Sequence, residues 1–364
     1  MASVKKFIII NGEKSSATIL YRSHSAERCL KKLGLVVEVH EADRLSAVNL
    51  KDVSACLFVR TPLSPELGSF IERLRSANVA VLADFDDLVF RPDLLHLING
   101  INYLSDIERQ QFTERTFQYQ EMVKVSDCVV VTTLPLAEQA ARYNKRVRVI
   151  RNYPLEVTKN MSFNYDDTKH DSNRFVIGYY SGTLTHQADF RQCANALARL
   201  MNERSEVELR IVGKVNMEEF SEFEEFESRI KRIPLMPYGD MLSDLGGCDL
   251  NIAPLELGNA FCECKSELKY FDAALMRVPT IASPTIPFKA AIRHGINGYL
   301  AITQGDWFNC FETLLHDKSV SKRVGLNARR YVLSLFGETA LLNDYRGLIN
   351  FVEEKIIGNC SGTP

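Results

Sequence analysis

Residues 261 to 272 read Phe261-Cys262-Glu263-Cys264-Lys265-Ser266-Glu267-Leu268-Lys269-Tyr270-Phe271-Asp272, and Pro279-Thr280-Ile281-Ala282-Ser283 follows shortly after. This pattern predicts a helix, with Lys265, Ser266 and Lys269 in its first turns, followed by a short buried strand. The apolar positions of the helix fall on one stripe, which would pack against a sheet: Leu268, Phe271, Leu275 and Met276. A helix feeding a buried strand is typical of α/β folds.

The polar positions of the same helix predict an anion site. Lys265 and Lys269 are one helical turn apart and Asp272 follows three residues later, so all three would share a face. Two ammonium groups and the Ser266 hydroxyl at a helix N-terminus suit a phosphate or diphosphate, and Asp272 can accept hydrogen bonds from ribose hydroxyls. The alternative is a solvated pair of lysines. The placement after the strand-like residues 250–253 favours a nucleotide-sugar site, since ligands of α/β sheets bind beyond the carboxyl ends of strands.

Length and composition are those of a soluble protein with two domains. The chain has 364 residues, of which 46% are apolar and 25% charged. A net charge of -2 gives no electrostatic case for binding nucleic acid. Nine scattered cysteines without paired CxxC spacing, no signal peptide and no apolar run of membrane-spanning length predict a reduced, cytoplasmic protein.

Short β-rich runs alternate with helical stretches twice along the chain, which predicts two parallel, doubly wound sheets. The predicted strands are 6–10, 35–39, 55–59, 79–83 and 128–131, then 175–179, 206–212, 250–253, 280–282 and 298–302. A polar stretch, residues 156–173, separates the two series. We therefore predict an N-terminal domain over 1–155, a C-terminal domain over 174–335 and a terminal helix over 336–357 that returns to the first domain.

A second candidate element follows the first strand of the second domain, in Gly178-Tyr179-Tyr180-Ser181-Gly182-Thr183-Leu184-Thr185-His186. Ser181, Gly182 and Thr183 are small enough for backbone amides to approach an anion, and His186 stands close by. The alternative is an ordinary strand-to-helix turn. The chain has no GxGxxG after its first strand, and Gly213-Lys214 lacks the rest of a P-loop, although Lys214 is counted among the donor-binding candidates.

Carboxylates cluster at the end of a predicted strand in Asp84-Phe85-Asp86-Asp87. Such a cluster can bind Mg²⁺ or Mn²⁺, or orient sugar hydroxyls without a metal. The metal-free interpretation is preferred, because the lysines of the second domain already supply cations. Asn11-Gly12 and Arg60 end neighbouring predicted strands, and Arg60 either binds an anion or forms an ion pair within the Asp84 cluster.

With these elements in place, the chain resembles glycosyltransferases of the GT-B fold, specifically bacterial enzymes related to glycosyltransferase family 4. The matching segments are residues 177–183, 265–274, 278–283 and 292–298, and the resemblance extends over roughly 175–345. Ala83-Asp84-Phe85-Asp86-Asp87-Leu88 is similar to a DxDD segment of some polysaccharide-assembly members.

The resemblance implies two Rossmann-like domains facing a cleft, with terminal helices crossing back. It also implies retention of anomeric configuration, with neither cofactor nor obligatory metal. Lys265 and Lys269 would neutralise the leaving diphosphate, and Asp272 would take the place of a ribose-binding glutamate. A first glutamate of the family pattern falls on Cys264, so either the adjacent Glu263 would replace it or its role would be absent, and Asp86 would replace a first-domain histidine.

These features predict transfer of a sugar from a nucleoside diphosphate to a glycan or lipid-linked glycan. Residue roles are assigned accordingly: catalytic, Lys265, Lys269 and Asp86; donor-binding, Ser181, Gly182, Thr183, His186, Lys214, Glu263, Ser266 and Asp272; acceptor-binding, Asn11, Gly12, Arg60, Asp84 and Asp87. The alternatives are a non-catalytic subunit that binds a sugar nucleotide or glycan, and a sugar-nucleotide epimerase of the same fold.

A basic cluster near the end of the first domain also allows peripheral contact with the inner face of the cytoplasmic membrane. It comprises Lys145, Arg146, Arg148 and Arg151.

Overall fold

The computed structural model describes residues 4–14, 18–153, 173–182 and 187–360. Within them, strands and helices alternate in two series. The strands are β1 Lys6–Asn11, β2 Val36–Glu41, β3 Val53–Val59, β4 Ala80–Phe85, β5 Cys128–Val131, β6 Val147–Val149, β7 Phe175–Ser181, β8 Val207–Gly213, β9 Ile230–Ile233, β10 Leu250–Ala253, β11 Thr280–Ala282 and β12 Tyr299–Leu300.

The helices cover the faces of the sheets and complete the α/β alternation. They are α1 Ser25–Lys32, α2 Pro65–Ser76, α3 Asp106–Val125, α4 Leu134–Ala140, α5 Gln187–Glu203, α6 Tyr238–Gly246, α7 Ala260–Glu263, α8 Leu268–Leu275, α9 Ile286–Ala291, α10 Gln304–His316, α11 Lys318–Leu335 and α12 Glu338–Cys360. A π-helical segment, Ile19–His24, leads directly into α1.

The first six strands form one parallel sheet in the order β2-β1-β3-β4-β5-β6. Every residue of β3, β4 and β5 is buried, as expected for strands covered by helices on both faces. The order in which the chain adds strands reverses between β1 and β3: β2 lies on one side of β1, and β3 to β6 follow on the other. In this class of sheet, the crevice beyond the carboxyl ends of two such strands is the usual place for a ligand.

The last six strands form a second parallel sheet in the order β12-β11-β10-β7-β8-β9. Its reversal lies between β7 and β10, so the ends of these strands, at Ser181 and Ala253, define the corresponding crevice. The predicted fold class is therefore confirmed. The residue limits assigned to the domains stay predictions, and residues 156–172 of the predicted linker lie outside the described part of the chain.

Two edge strands were absent from the predicted set: β6 and β9, which are only three and four residues long. β9 reads Ile-Lys-Arg-Ile, and its two central residues are exposed, so its sequence carries little apolar signal. Short edge strands gain their conformation from the neighbouring strand.

The terminal helices join the two halves of the molecule. The α11–α12 break falls at Phe336 and Gly337, close to the predicted position. Tyr345, Leu348 and Val352 of α12 belong to the same apolar cluster as β1 and β3, while Phe336 lies 4.4 Å from the ring of Phe271 in α8. The helical tail thus packs on the first sheet and on a helix of the second.

Candidate active site

The segment carrying the two predicted lysines is not one helix. α7 ends at Glu263 and α8 begins at Leu268, so Lys265 and Ser266 lie in the connection and only Lys269 lies in a helical first turn. The Lys265 N–H donates to the Cys262 carbonyl (3.1 Å), a tight i to i−3 bond that closes α7. The prediction of a continuous helix is wrong here. Residues 260–275 contain neither glycine nor proline to mark the break.

Two cavities meet at the start of α8. The larger, about 700 Å³, lies beyond β7 and β8, and the smaller, about 190 Å³, lies beyond β10 and faces the first domain. Leu268 and Lys269 line both. The cavities therefore occupy the reversal point of the second sheet, where the fold favours ligand binding.

Lys269 holds a buried positive charge at the junction of the cavities, and the carboxylate of Asp189 favours that charge. Its Nζ atom is buried without a hydrogen-bond partner among the residues that the structure describes, and it lies 4.8 Å from the centre of the Tyr179 ring. Burial lowers the pKa of Lys269 to about 8. A buried ammonium without a hydrogen-bond acceptor is costly, so this group is poised to bind an anion.

Lys265, in contrast, is paired across the cleft. Its Nζ atom lies 3.2 Å from Oδ2 of Asp87 in the first domain and 4.3 Å from the centre of the Phe261 ring. Burial alone would lower the pKa of Lys265, but the carboxylates of Asp87 and Asp189 outweigh it and raise the pKa. Lys265 lines the smaller cavity, so the structure brings both predicted lysines to one site.

Asp272 lies in the larger cavity, beneath two tyrosines. Its carboxylate accepts hydrogen bonds from Tyr21 Oη at 3.0 Å to each oxygen and from Tyr238 Oη at 2.7 Å. Burial raises the pKa of Asp272 to about 6, although both tyrosine hydroxyls oppose the shift. Tyr21 comes from the first domain, so Asp272 takes part in a contact between the domains.

Asp84 belongs to a buried ion pair below the cleft. Arg22 donates to both of its carboxylate oxygens at 2.8 Å, and both side chains are 1% exposed. This bidentate pairing uses both oxygens of the Asp84 carboxylate, and the acceptor-binding role of Asp84 stays a prediction. Arg22 also donates to Asn152 Oδ1 (3.2 Å), whose amide in turn donates to Ser266 Oγ (3.0 Å). The pair thereby supports a hydroxyl of the smaller cavity.

Arg60 forms the ion pairs that were one of its two predicted roles. Its guanidinium lies 3.5 Å from Asp86, 3.8 Å from Asp87 and 3.6 Å from Glu13. Burial would raise the pKa of Asp87, but the charges of Lys265 and Arg60 lower it below its usual value. Asp86 also accepts a hydrogen bond from Thr18 (2.8 Å), and both carboxylates line the smaller cavity.

Asn11 and Gly12 serve the packing of the first sheet. Asn11 is 4% exposed and its amide donates to Glu41 Oε1 (3.4 Å). A Cβ atom on Gly12 would lie 2.2 Å from the carbonyl oxygen of Arg60, whose own φ of 44° places it in the left-handed region. Neither residue lines either of the two cavities described above, so the structure does not bring these two acceptor-binding candidates into the site.

Among the predicted donor-binding residues, Ser181 and Gly182 line the larger cavity, and Thr183 and His186 lie outside the described residues. Lys214 is exposed and lines neither cavity. Glu263 accepts hydrogen bonds from the backbone N–H groups of Gly258 and Ile286, both at 3.4 Å. It lines neither cavity, and it therefore stabilises a loop beside the site.

Several residues in or beside the site were not predicted, because they lie on helical segments away from the predicted motifs. Tyr21 and His24 line the larger cavity from the π-helical segment, and Tyr238 lines it from α6. Asp189, 2% exposed in α5, accepts from the Glu256 N–H (3.0 Å) and from Cys262 Sγ (3.2 Å). Only Asp189 had a usable signal, as an acidic residue in the first turn after the Ser181 loop.

The basic cluster is divided by the tertiary structure. Arg148 stacks over Phe351 and Arg151 over Phe336, whereas Lys145 and Arg146 are exposed. Across the described segments, no helix combines the length and apolarity needed to cross a bilayer. Within the same segments, no three His, Cys, Asp or Glu side chains are grouped in a way that could hold a metal ion.

The chain is similar to known proteins in part of its sequence and in its fold. Residues 174–317 match the family model described as glycosyl transferases group 1. HepE from Anabaena, in complex with UDP and glucose, is 12% identical, with 95% of this chain and 99% of HepE covered and a TM-score of 0.62. Sucrose-phosphate synthase from Thermosynechococcus elongatus is 14% identical, with coverages of 96% and 99% and a TM-score of 0.61.

A third similar structure is longer than this protein. TarM from S. aureus, in a complex that includes UDP, is 13% identical with a TM-score of 0.58, and the match covers 82% of this chain but only 56% of TarM. No curated protein matches the chain by sequence. At such low identities these structures establish the GT-B fold alone, and the family model shows a glycosyl transferases group 1 domain over residues 174–317, the domain of a glycosyltransferase.

Proposed function

We propose that the protein transfers a sugar from a nucleoside diphosphate to a hydroxyl group of a glycan or lipid-linked glycan, with retention at the anomeric carbon. The observation that carries this proposal is the buried Lys269 ammonium, without a hydrogen-bond partner among the described residues, at the junction of the two cavities. A diphosphate placed there would have its nucleoside in the larger cavity and its sugar in the smaller.

The larger cavity fits the nucleoside part of the donor. Apolar side chains of the segment after β9, Leu235, Met236 and Pro237, line one side of it, and Asp272 offers carboxylate oxygens to ribose hydroxyls. Ser181 and Gly182 line it beyond the end of β7, where their backbone can approach a phosphate. UDP in the HepE and TarM structures makes uridine diphosphate the first nucleotide to test.

The smaller cavity fits the transferred sugar and the attacking hydroxyl. It places Lys265 and Ser266 of the second domain opposite Asp86, Asp87 and Asn152 of the first. In this arrangement Asp86 accepts a hydrogen bond from a sugar or acceptor hydroxyl. Lys265 leaves Asp87 for the diphosphate when the donor binds, because a phosphate carries more charge than the carboxylate.

The chemistry follows from where the cations lie. The glycosidic bond to the diphosphate breaks ahead of bond formation, so positive charge develops at the anomeric carbon and negative charge on the leaving diphosphate. Lys269 and Lys265 stabilise that negative charge. The acceptor oxygen attacks from the same face and its proton passes to the departing phosphate oxygen, so the products are the retained glycoside and the nucleoside diphosphate.

We further propose that the enzyme works in the cytoplasm, against the inner face of the membrane when its acceptor is lipid-linked. The eight cysteines whose side chains the structure describes are all free and buried, as expected for a reducing compartment. The exposed Lys145 and Arg146 are candidates for contact with anionic lipid headgroups.

A nucleotide screen followed by a transfer assay tests the proposed function. UDP, GDP, ADP and their common sugar conjugates are added in a thermal-shift experiment, in which a bound nucleotide raises the melting temperature. The sugar nucleotide that binds is then incubated with glycan acceptors, and NMR of the product reports the anomeric configuration. Binding of none of these nucleotides would contradict the proposal, and conversion of the donor to an epimer without acceptor would favour the epimerase alternative.

A further inference from the structure

The first domain supplies one wall of the larger cavity. Ile19, Leu20, Tyr21 and His24, all in the π-helical segment, line it opposite α6 and α8. Tyr21 is 5% exposed, and its ring packs edge-on against that of Tyr238, with centroids 5.7 Å apart. A nucleoside in this cavity would therefore touch both domains.

Three oxygen atoms form a closed triangle in this wall. Tyr21 Oη lies 2.7 Å from Tyr238 Oη and 3.0 Å from Asp272 Oδ1, and Tyr238 Oη lies 2.7 Å from the same carboxylate oxygen. Each side of the triangle has hydrogen-bond length, but two tyrosine hydroxyls facing an ionised carboxylate supply only two protons. One of the three contacts then lacks a proton, so the arrangement favours the exchange of one tyrosine for another donor.

Tyr21 is the member that a ligand would replace. It bridges both oxygens of Asp272 at 3.0 Å, longer than the 2.7 Å bond from Tyr238. Tyr238 and Asp272 both belong to the second domain, whereas Tyr21 reaches them from the first. Replacement of Tyr21 therefore breaks a contact between domains and leaves the second domain intact.

We propose that Tyr21 is a specificity-determining residue of the donor site, whose hydroxyl occupies the ribose position on Asp272 until the ribose hydroxyls of the donor displace it. This inference rests on the proposed function, because it requires a ribonucleotide in the larger cavity. Displacement links donor binding to release of the first domain. Part of the free energy of ribose recognition is then used to break the Tyr21 contact.

The test compares two nucleotides by isothermal titration calorimetry: UDP and 2′,3′-dideoxy-UDP, which lacks both ribose hydroxyls. In Tyr21→Phe the competing hydroxyl is absent, so UDP should bind about three- to tenfold more tightly than in the wild type, the effect of one hydrogen bond. The affinity for dideoxy-UDP should stay the same. Tyr331→Phe is the matched control, since its hydroxyl bonds the Ala290 carbonyl (3.2 Å) away from both cavities, and it should change neither affinity.

The outcomes are distinct. Weaker UDP binding by Tyr21→Phe would show that Tyr21 contacts the bound donor, and an equal change for both nucleotides would show that the ribose is not involved; either overturns the inference while leaving the proposed function standing. Absence of nucleotide binding by the wild type, with UDP and with the other nucleotides of the screen, overturns both.

A second measurement uses the wild type alone, in case Tyr21→Phe does not fold. Amide hydrogen exchange of Ile19–His24 should increase when UDP binds and should not increase with dideoxy-UDP. Increased protection of this segment by UDP contradicts displacement.

Discussion

The two sheets differ in how charged side chains are paired at the edge where the carboxyl ends of their strands lie. At the first edge the cations are paired: Arg22 with Asp84, and Arg60 with Glu13, Asp86 and Asp87. At the second edge Lys269 is buried without a hydrogen-bond partner in the described part of the chain, beside an apolar cavity of about 700 Å³. Lys265 forms an ion pair between the two edges, with Asp87.

This difference suggests that charges at the first edge mainly stabilise the fold, whereas the charge at the second edge is available to a ligand. The charges of Arg22 and Asp84 are paired with each other and buried, so they hold the first edge in shape. A buried ammonium without a hydrogen-bond acceptor is costly until an anion binds. At the second edge, a diphosphate can supply the acceptor that Lys269 lacks among the described residues. The three predictions that follow test this contrast from its strongest consequence to its weakest.

The largest effect is expected on stability, from the buried pair at the first edge. Asp84→Asn leaves the Arg22 guanidinium buried without a carboxylate, and should lower the free energy of unfolding by about 3–5 kcal/mol. The double variant Arg22→Met/Asp84→Leu should recover part of this loss, because it removes both charges together. Urea unfolding followed by circular dichroism measures both.

The control for this prediction is the exposed pair of Glu27 and Lys31, 2.6 Å apart on α1. Glu27→Gln should cost less than about 1 kcal/mol. If Asp84→Asn kept the wild-type stability and instead raised KM for the acceptor, Asp84 would be a binding residue and the contrast between the edges would fail.

The next effect is on catalysis, at the second edge. Lys269→Ala should lower kcat by about 10²- to 10³-fold, since a buried cation is removed from the leaving diphosphate. Lys265→Ala should have a smaller effect, because Lys265 must first leave Asp87. Steady-state kinetics with a saturating donor measure both, and Lys318→Ala, an exposed lysine of α11, is the control.

Equal losses in Lys265→Ala and Lys269→Ala would show that the ion pair with Asp87 has no influence on the charge available to the donor. Wild-type turnover in Lys269→Ala would remove the basis of the proposed mechanism.

The smallest effect is a pH dependence of UDP affinity. Because burial lowers the pKa of Lys269 to about 8, the free protein loses this charge as the pH rises through 8. UDP binds the protonated form, so its affinity should be constant below that pH and fall by roughly tenfold between pH 7.5 and 9.2. Calorimetry across this range measures the change.

Lys269→Arg retains its charge throughout this pH range, so its affinity for UDP should not fall on the alkaline side. An unchanged alkaline fall in Lys269→Arg would assign the titration to another group.

The sequence predicted the fold better than the site. Apolar runs identified ten of the twelve strands in the described residues, since buried parallel strands need continuous apolar residues whatever their neighbours. For the site, Lys265, Lys269, Ser266, Asp272, Ser181 and Gly182 do line the cavities. The break between α7 and α8 was missed, because it depends on backbone bonds at Cys262 and Lys265 and not on a helix-breaking residue.

The amino-acid sequence by itself determined two parallel sheets, because burial of apolar strands and right-handed connections leave few other arrangements. It also placed the candidate phosphate-binding residues near the loop that follows one strand, β10. Which charges are paired and which are open was set by tertiary contacts between residues far apart in the chain. Arg22 and Asp84, Asp87 and Lys265, and Tyr21 and Asp272 meet only when the two domains and the terminal helices have packed, and local sequence patterns carry no information about such distances.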